Sequence, residues 1–171
     1  MSKIIKLLAG SPQVVEDDWS VMREPYVPGV PHSSRTIFPF CILQTHASPE
    51  TQEVRAVWIS PDDDFEPMVA RLLELDLIAV DFPVFRDGRG YSIATLLRTR
   101  YGWTGELRAI GDVLRDQVNY MRRCGFDAFA VRSDKDIHDA IKSFTHYSVR
   151  YQGAVDNPVP LFRLRNGQQK V

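Results

Sequence analysis

From Val54 onward, short apolar segments alternate with stretches of helical spacing, and this alternation constrains the fold more than any other feature. Each apolar segment has the length and residue types of a β-strand. Each is followed by apolar residues at the spacing of three and four that an amphipathic helix shows. Strands joined through a helix pair in parallel by right-handed crossovers. The strand-like segments cover residues 54–59, 77–80, 107–110 and 127–131.

The pattern predicts an α/β fold with four consecutive strand–helix units, forming a parallel open sheet or a half-barrel-like layer. Four strands are too few to close an eight-stranded barrel. We expect residues 54–147 to be the parallel core. Residues 1–53 are expected to be a proline-rich extension packed on it, and residues 148–171 a tail in which an edge strand is one option. Six prolines precede residue 50.

Two shorter patterns precede the core. Apolar residues at 4–8 and 14–15 flank the turn signal Gly10-Ser11-Pro12, which predicts a small hairpin. Residues 35–43 are ambiguous, because their apolar residues suit a strand whereas Pro39 equally suits the start of a short helix.

Composition excludes several classes of protein. The 171 residues suit one globular domain, with 44% hydrophobic and 25% charged residues. A net charge of −1 argues against nucleic acid or an anionic membrane surface as the main partner. There is no apolar stretch of about 18 residues and no signal-peptide pattern, so we expect a cytoplasmic protein.

Metal and redox chemistry also lack a sequence signal. Cys41 and Cys124 are far apart, and the four histidines have no partner at metal-ligand spacing. No nucleophile motif and no complete dinucleotide loop is present. We therefore expect no metal and no bound cofactor, and catalytic residues stay unknown. Cys124 lies on the apolar side of its predicted helix, which favours a buried structural cysteine over a reactive one.

Parallel topology gathers the carboxyl ends of the strands at one edge, where ligands of such sheets usually bind. The residues that follow these ends carry both signs of charge, and they are the candidate functional residues of the chain. They are Asp81, Arg86, Asp87, Arg89, Tyr91, Asp112, Arg115, Asp116 and Arg132.

Two interpretations compete for the carboxylates at this edge. Asp112 and Asp134 stand before helical segments, where a carboxylate commonly caps the first amides without any ligand. Asp81 differs because it directly follows a buried apolar run, and a partly buried carboxylate needs hydrogen-bond donors. We expect Asp81 to be ionised and bonded to Arg89, to Arg86 or to backbone amides.

The turn after the second strand, Asp87-Gly88-Arg89-Gly90, is a candidate anion site. Its glycines free the first amides of the following helix to approach an anion, and Arg89 adds a positive charge. The turn has neither the GK[ST] of a P-loop nor a complete GxGxxG, and such loops are common without a ligand. Anion binding by Gly88, Arg89 and Gly90 and a purely structural turn both stay open.

Three long motifs in order resemble one known family. They are Leu77-Ile78-Ala79-Val80-Asp81-Phe82-Pro83 with Asp87-Gly88-Arg89-Gly90-Tyr91-Ser92, the run Gly105 to Gln117, and Arg123-Cys124-Gly125-Phe126-Asp127-Ala128-Phe129. The series resembles the bacterial domain-of-unknown-function family numbered 934, nearly end to end, with the weakest likeness in residues 24–53.

The resemblance implies a context and no mechanism. Members are typically encoded beside the haemoprotein subunit of assimilatory sulfite reductase, and they are often labelled as oxidoreductases of sulfite reduction. Together with the charged carboxyl edge, this context leads us to expect an accessory protein of sulfur assimilation that contacts sulfite reductase or its electron donor through that edge. The alternative is a small enzyme acting there on a sulfur- or phosphate-bearing molecule. The sequence leaves a homo-oligomer open.

Overall fold

The computed structural model describes residues 2–27, 30–44 and 53–164. Eight strands form one mixed sheet that curls into a half-barrel, in the order β2-β1-β8-β7-β6-β5-β4-β3. The strands are β1 Ser2–Leu8, β2 Ser11–Asp17, β3 Ser20–Val21, β4 Thr36–Pro39, β5 Ala56–Ile59, β6 Leu77–Phe82, β7 Glu106–Gly111 and β8 Ala128–Phe129. The helices are α1 Val69–Leu72, α2 Arg89–Thr99, α3 Arg115–Arg123, α4 Ile137–Ala140 and α5 Leu161–Leu164, and 3-10 turns cover Phe40–Leu43, Glu66–Met68 and Ile141–Thr145.

The α/β class that the sequence predicts is confirmed. Strands β5, β6, β7 and β8 pair in parallel with their neighbours along the chain. Every residue of β6 is buried. Its residues Ile78, Val80 and Phe82 belong to the larger core cluster, together with helix residues, whereas Leu77 and Ala79 belong to the smaller cluster on the other face. The continuous apolar run of β6 follows from burial on both faces.

The prediction of a parallel sheet with an added N-terminal extension needs correction, because the sheet is mixed and its first four strands precede residue 54. The predicted hairpin is confirmed: β1 and β2 pair antiparallel around a turn at Ala9 and Gly10, which both have positive φ. β1 also pairs antiparallel with β8. The hairpin thereby covers an edge of the parallel strands that would otherwise expose unpaired backbone groups.

Residues 35–43 adopt both of the conformations that their sequence left open. β4 runs to Pro39, and the 3-10 turn Phe40–Leu43 follows at once. The edge strand that the sequence allowed for the tail does not form. Residues 148–164 contain the short helix α5 and no strand. Both edges of the sheet are taken by β2 and β3.

A buried arginine ties the hairpin to the middle of the sheet. Arg108, on β7, is 1% exposed. Its Nη1 donates to Oδ1 of Asp17 at 2.9 Å, and its Nη2 donates to Oε1 of Glu106 at 2.7 Å. Lys6 of β1 lies 2.8 Å from the other Glu106 oxygen. A buried guanidinium without such carboxylate partners would strongly destabilise the fold.

Replacing Arg108 should be among the most destabilising changes in the sheet. Arg108→Ala leaves the carboxylates of Asp17 and Glu106 without their main partner in a water-poor site, so the free energy of unfolding should fall by about 3–5 kcal/mol. Arg55→Ala is the matched control, because the Arg55–Asp76 ion pair is exposed and should contribute less than about 1 kcal/mol. Urea denaturation of both variants measures the difference. Equal losses would contradict the role given to Arg108.

Candidate functional site

The ends of β6 and β7 approach each other closely, and this approach builds the carboxyl edge. Gly111 has φ +89, and a Cβ atom there would lie 2.5 Å from the carbonyl oxygen of Phe82. Only glycine accommodates both the conformation and the contact. The next residue, Asp112, donates its backbone N–H to the same Phe82 oxygen at 2.7 Å. The side chain of Asp112 is thereby placed beside the loop that follows β6.

Asp112 and Gln117 hold the backbone of the loop between β6 and α2. One carboxylate oxygen of Asp112 accepts from the backbone N–H of Phe85 at 2.9 Å, and the other accepts from Nη1 of Arg132 at 2.6 Å. Nε2 of Gln117 donates to the carbonyl oxygen of Phe85 at 3.2 Å. Arg132 follows β8 and bonds to Asp112 after β7, and Asp112 in turn bonds to Phe85 after β6. The ends of three strands are thereby connected. Bonds to Asp134 and Asp112 raise the pKa of Arg132.

The structure contradicts the interpretation of Asp112 and Asp134 as helix caps. α3 begins after Leu114, whose backbone N–H donates to Oε1 of Gln117. α4 is capped by Asp136, which accepts from the N–H of His138 at 2.8 Å. Asp134 instead receives two bonds from Arg132, which lower its pKa to about 2. Both carboxylates bond to Arg132 and cap no helix, because the neighbouring strand ends place the Arg132 guanidinium beside them.

The loop held in this way presents apolar side chains to solvent. Val84 and Phe85 are 48% and 47% exposed. Arg86, the next residue, is exposed and forms no ion pair with any described residue. We call Val84, Phe85 and Arg86 the β6–α2 loop tip. Sequence reasoning selected Arg86 and missed its two apolar neighbours, although two large apolar residues in a turn between Pro83 and Asp87 were a readable signal.

Arg89 lies in a cluster of carboxylates at the start of α2. Its Nη2 donates to Asp87 at 2.7 Å, and its Nη1 donates to Asp62 at 2.6 Å, which joins the end of β5 to the β6–α2 connection. The bonds from Arg89 lower the pKa of Asp87. The backbone N–H of Arg89 also donates to Asp87, so an external anion at Gly88–Gly90 has to compete with two carboxylates.

Gly90 has a packing role in the same turn. A Cβ atom at this position would lie 2.7 Å from Cζ of the Phe82 ring. The glycine therefore lets the first turn of α2 sit directly on the buried aromatic side chain at the end of β6.

Asp81 has a different partner from the one predicted. It is buried, and its Oδ1 accepts from Nη2 of Arg23 at 2.8 Å. The guanidinium of Arg23 also lies 5.0 Å from the centre of the Trp58 ring. The expectation that Arg86 or Arg89 pairs with Asp81 is wrong. Arg23 lies 58 residues away in the proline-rich segment, so no local pattern signalled the contact.

The remaining candidate residues belong to α2, α3 and their neighbours. Tyr91 is half-buried, with ring centres 5.2 Å from Phe82 and 5.0 Å from Tyr120, and burial raises its pKa. Arg115 pairs with Asp139 at 2.6 Å. Asp116 is exposed, and its side chain forms no hydrogen bond or ion pair with another described residue.

Cys124 and the potential metal ligands form the last group of chemically reactive side chains. Cys124 is buried, as its sequence position predicts, and burial raises the pKa of its thiol. A thiol in that state is a poor nucleophile. Within residues 2–27, 30–44 and 53–164, no three His, Cys, Asp or Glu side chains gather as metal ligands. No helix in these ranges is long and apolar enough to cross a membrane.

Comparison with known proteins gives one family. Residues 56–162, well over half of the chain, match the model of a family described as "Bacterial protein of unknown function (DUF934)". Neither a curated protein nor a solved structure matches the chain. The matched residues contain β5 to β8 and the whole carboxyl edge, whereas Arg23, the partner of Asp81, lies before them.

The Asp81–Arg23 contact can be tested by a double-mutant cycle. Asp81→Asn and Arg23→Gln should each lower the free energy of unfolding, and the two changes should couple by about 1–2 kcal/mol because they remove the same partly buried interaction. Asp81→Asn with Arg89→Gln should be additive to within about 0.5 kcal/mol, because no bond joins these residues. Urea denaturation of the single and double variants supplies both couplings. A larger coupling of Asp81 with Arg89 would refute the assignment.

Proposed function

We propose that this chain, which belongs to the DUF934 family of bacterial proteins of unknown function, is an accessory protein of assimilatory sulfate and sulfite reduction. In this proposal it contacts the haemoprotein of sulfite reductase, or its electron donor, through the carboxyl edge of the sheet. The family resemblance suggests the pathway. The geometry of the edge supports a contact surface, and the two arguments are independent.

The β6–α2 loop tip is the observation that carries the proposal. Its apolar side chains are exposed, yet its backbone is bonded on both sides, to Asp112 and to Gln117. A surface aromatic on a fixed backbone loses little conformational freedom when a partner covers it. Phe and Arg are also enriched in the buried centres of protein interfaces. The tip therefore has the composition and the rigidity of an anchor.

The charged residues around the tip suit the rim of an interface. The Arg89 cluster lies on one side and the Asp112–Arg132–Asp134 cluster on the other, and each contains both signs of charge. Mixed charges around an apolar centre fix the register of a partner and reject partners with the wrong pattern. They also exclude water from the centre, where the binding energy concentrates.

The enzyme alternative receives less support from this edge. An anionic substrate would need a free cation at the glycine turn, and the guanidinium of Arg89 already binds Asp87 and Asp62. Asp81, the most buried carboxylate of the edge, is occupied by Arg23. Burial raises the pKa of Asp63, after β5, but one of its carboxylate oxygens already accepts from the backbone N–H of Ser60 at 2.7 Å.

Binding of the loop tip to the reductase haemoprotein can be measured with purified proteins. Phe85→Ser should weaken binding by about 30-fold, because an aromatic anchor contributes roughly 2 kcal/mol at an interface. Leu73→Ser is the matched control, since Leu73 is similarly exposed, at 42%, beside α1 and away from the loop tip. Calorimetric titration of wild type and both variants provides the affinities. Equal weakening by both changes, or no binding by the wild type to reductase or donor, would remove the support for this surface.

Growth of a strain that lacks the gene tests the pathway itself. The strain should grow poorly on sulfate or sulfite as the sole sulfur source and normally on sulfide or cysteine, because the defect lies at sulfite reduction. The Leu73→Ser gene should restore growth on sulfite, and the Phe85→Ser gene should not. Immunoblotting controls for equal amounts of both variants. Normal growth of the deletion strain on sulfite would contradict the proposal.

A further inference from the structure

A groove lies between α3 and the tail, away from the loop tip. It has a volume of about 540 Å³. Its α3 side carries Asp116, Tyr120 and Arg123, which are spaced by four and then three residues and so share one face of the helix. Its tail side carries Tyr147 and Tyr151. We call this feature the tyrosine groove.

Hydrogen bonds and an ion pair fix the tail against α3 and so define the shape of the tyrosine groove. Nη2 of Arg150 donates to Oδ1 of Asn119 at 2.8 Å, and Nη1 of Arg150 donates to Asp156 at 2.8 Å. The carbonyl oxygen of Gln152 accepts from Nη2 of Arg123 at 2.9 Å. The backbone N–H of Val155 donates to the carbonyl oxygen of Arg123 at 3.0 Å. These bonds hold both walls at a set separation.

The walls expose an unusual amount of aromatic surface. Tyr120, Tyr147 and Tyr151 are 54%, 68% and 67% exposed. Contiguous apolar and aromatic surface on a folded chain commonly marks a place where another molecule binds. Side chains that stand this far into solvent line a shallow groove, which an extended peptide fills better than a small molecule that needs enclosure.

A negative charge, Asp116, and a positive charge, Arg123, lie at the two ends of the groove. They are complementary to a peptide that carries one basic and one acidic side chain. Within the part of the chain that the structure describes, neither Asp116 nor Arg123 has an ion-pair partner. They are seven residues apart on α3, which is about 10 Å along the helix axis. A peptide in the extended polyproline II conformation rises about 3.1 Å per residue with three residues per turn, so it covers this distance in about three residues and returns to the same face. Tyr120 lies between them.

We propose that the tyrosine groove binds an extended segment of a partner protein in which a basic and an acidic residue stand three positions apart. The basic side chain pairs with Asp116, and the acidic side chain pairs with Arg123. The residues between them are aromatic or apolar and pack on Tyr120 and Tyr151. This site is separate from the β6–α2 loop tip and does not depend on the pathway proposed above.

Three labelled peptides provide the test on the full-length protein. Each has the form Gly-Gly-X-Phe-Val-Z-Gly-Gly, with X and Z as Lys and Glu, Glu and Glu, or Lys and Lys. Fluorescence anisotropy should show that the wild type binds the Lys/Glu peptide about threefold more tightly than the other two, the effect of one exposed ion pair. Tyr120→Ala should weaken binding of all three. Phe85→Ser should leave all three affinities unchanged.

Reversing the charge at position 116 of the protein tests the charge pairing directly, because it should change which peptide binds most tightly. The side chain of Asp116 bonds no described residue but lies in the first turn of α3, so Asp116→Lys should lower thermal stability only slightly, through the helix dipole, and should make the Glu/Glu peptide the preferred one. Retention of the wild-type preference by Asp116→Lys would overturn the proposal. So would the absence of saturable binding up to about 1 mM. Formation of a dimer that Tyr120→Ala abolishes would assign the groove to a second copy of the chain and would equally overturn it.

Discussion

Burial of β6 on both faces is the constraint on which the rest of the structure depends. All six of its residues lie inside the protein, so both faces of the sheet need a cover. Helices provide one cover, through side chains such as Leu97 and Met121 that pack with Val80 and Phe82. The segment before residue 54 contributes to the other, where Trp19 and Val21 pack against the smaller core cluster. The N-terminal strands are therefore part of the sheet and not an appendage to it.

The same constraint explains where the buried charges are. β6 and β7 each carry one ionisable side chain into the interior, Asp81 and Arg108. Both find their partners in the segment that covers this region: Arg23 for Asp81, and Asp17 for Arg108. A buried charge without a partner costs several kcal/mol, so these contacts couple the correct docking of the N-terminal segment to the stability of the sheet.

At the carboxyl edge, charge serves mainly to position backbone. The close approach of Gly111 to Phe82 brings Asp112 beside the next loop, and Arg132 holds Asp112 in place. The result is a fixed loop tip with Val84 and Phe85 in solvent. Of the candidate functional residues that the sequence marked, Asp87 bonds to Arg89 and Asp112 bonds to Arg132. What the edge exposes between these pairs is the apolar surface of the loop.

A series of aromatic contacts links the buried end of β6 to the tyrosine groove. Phe126 lies 5.8 Å from Phe82, Phe82 lies 5.2 Å from Tyr91, and Tyr91 lies 5.0 Å from Tyr120, measured between ring centres. The series runs from the buried core to the wall of the groove.

The sequence by itself determined the α/β class, the parallel strands β5 to β8, the N-terminal hairpin and the burial of Cys124. These features follow from periodicity and turn signals, which act between residues close in the chain. Only the tertiary structure decided that Arg23 pairs with Asp81, 58 residues away, and that Asp17 pairs with Arg108, 91 residues away. It also decided that Asp112 supports a loop and does not cap a helix. Pairing between distant charges depends on which surfaces the packed core brings together, and no local pattern encodes that choice.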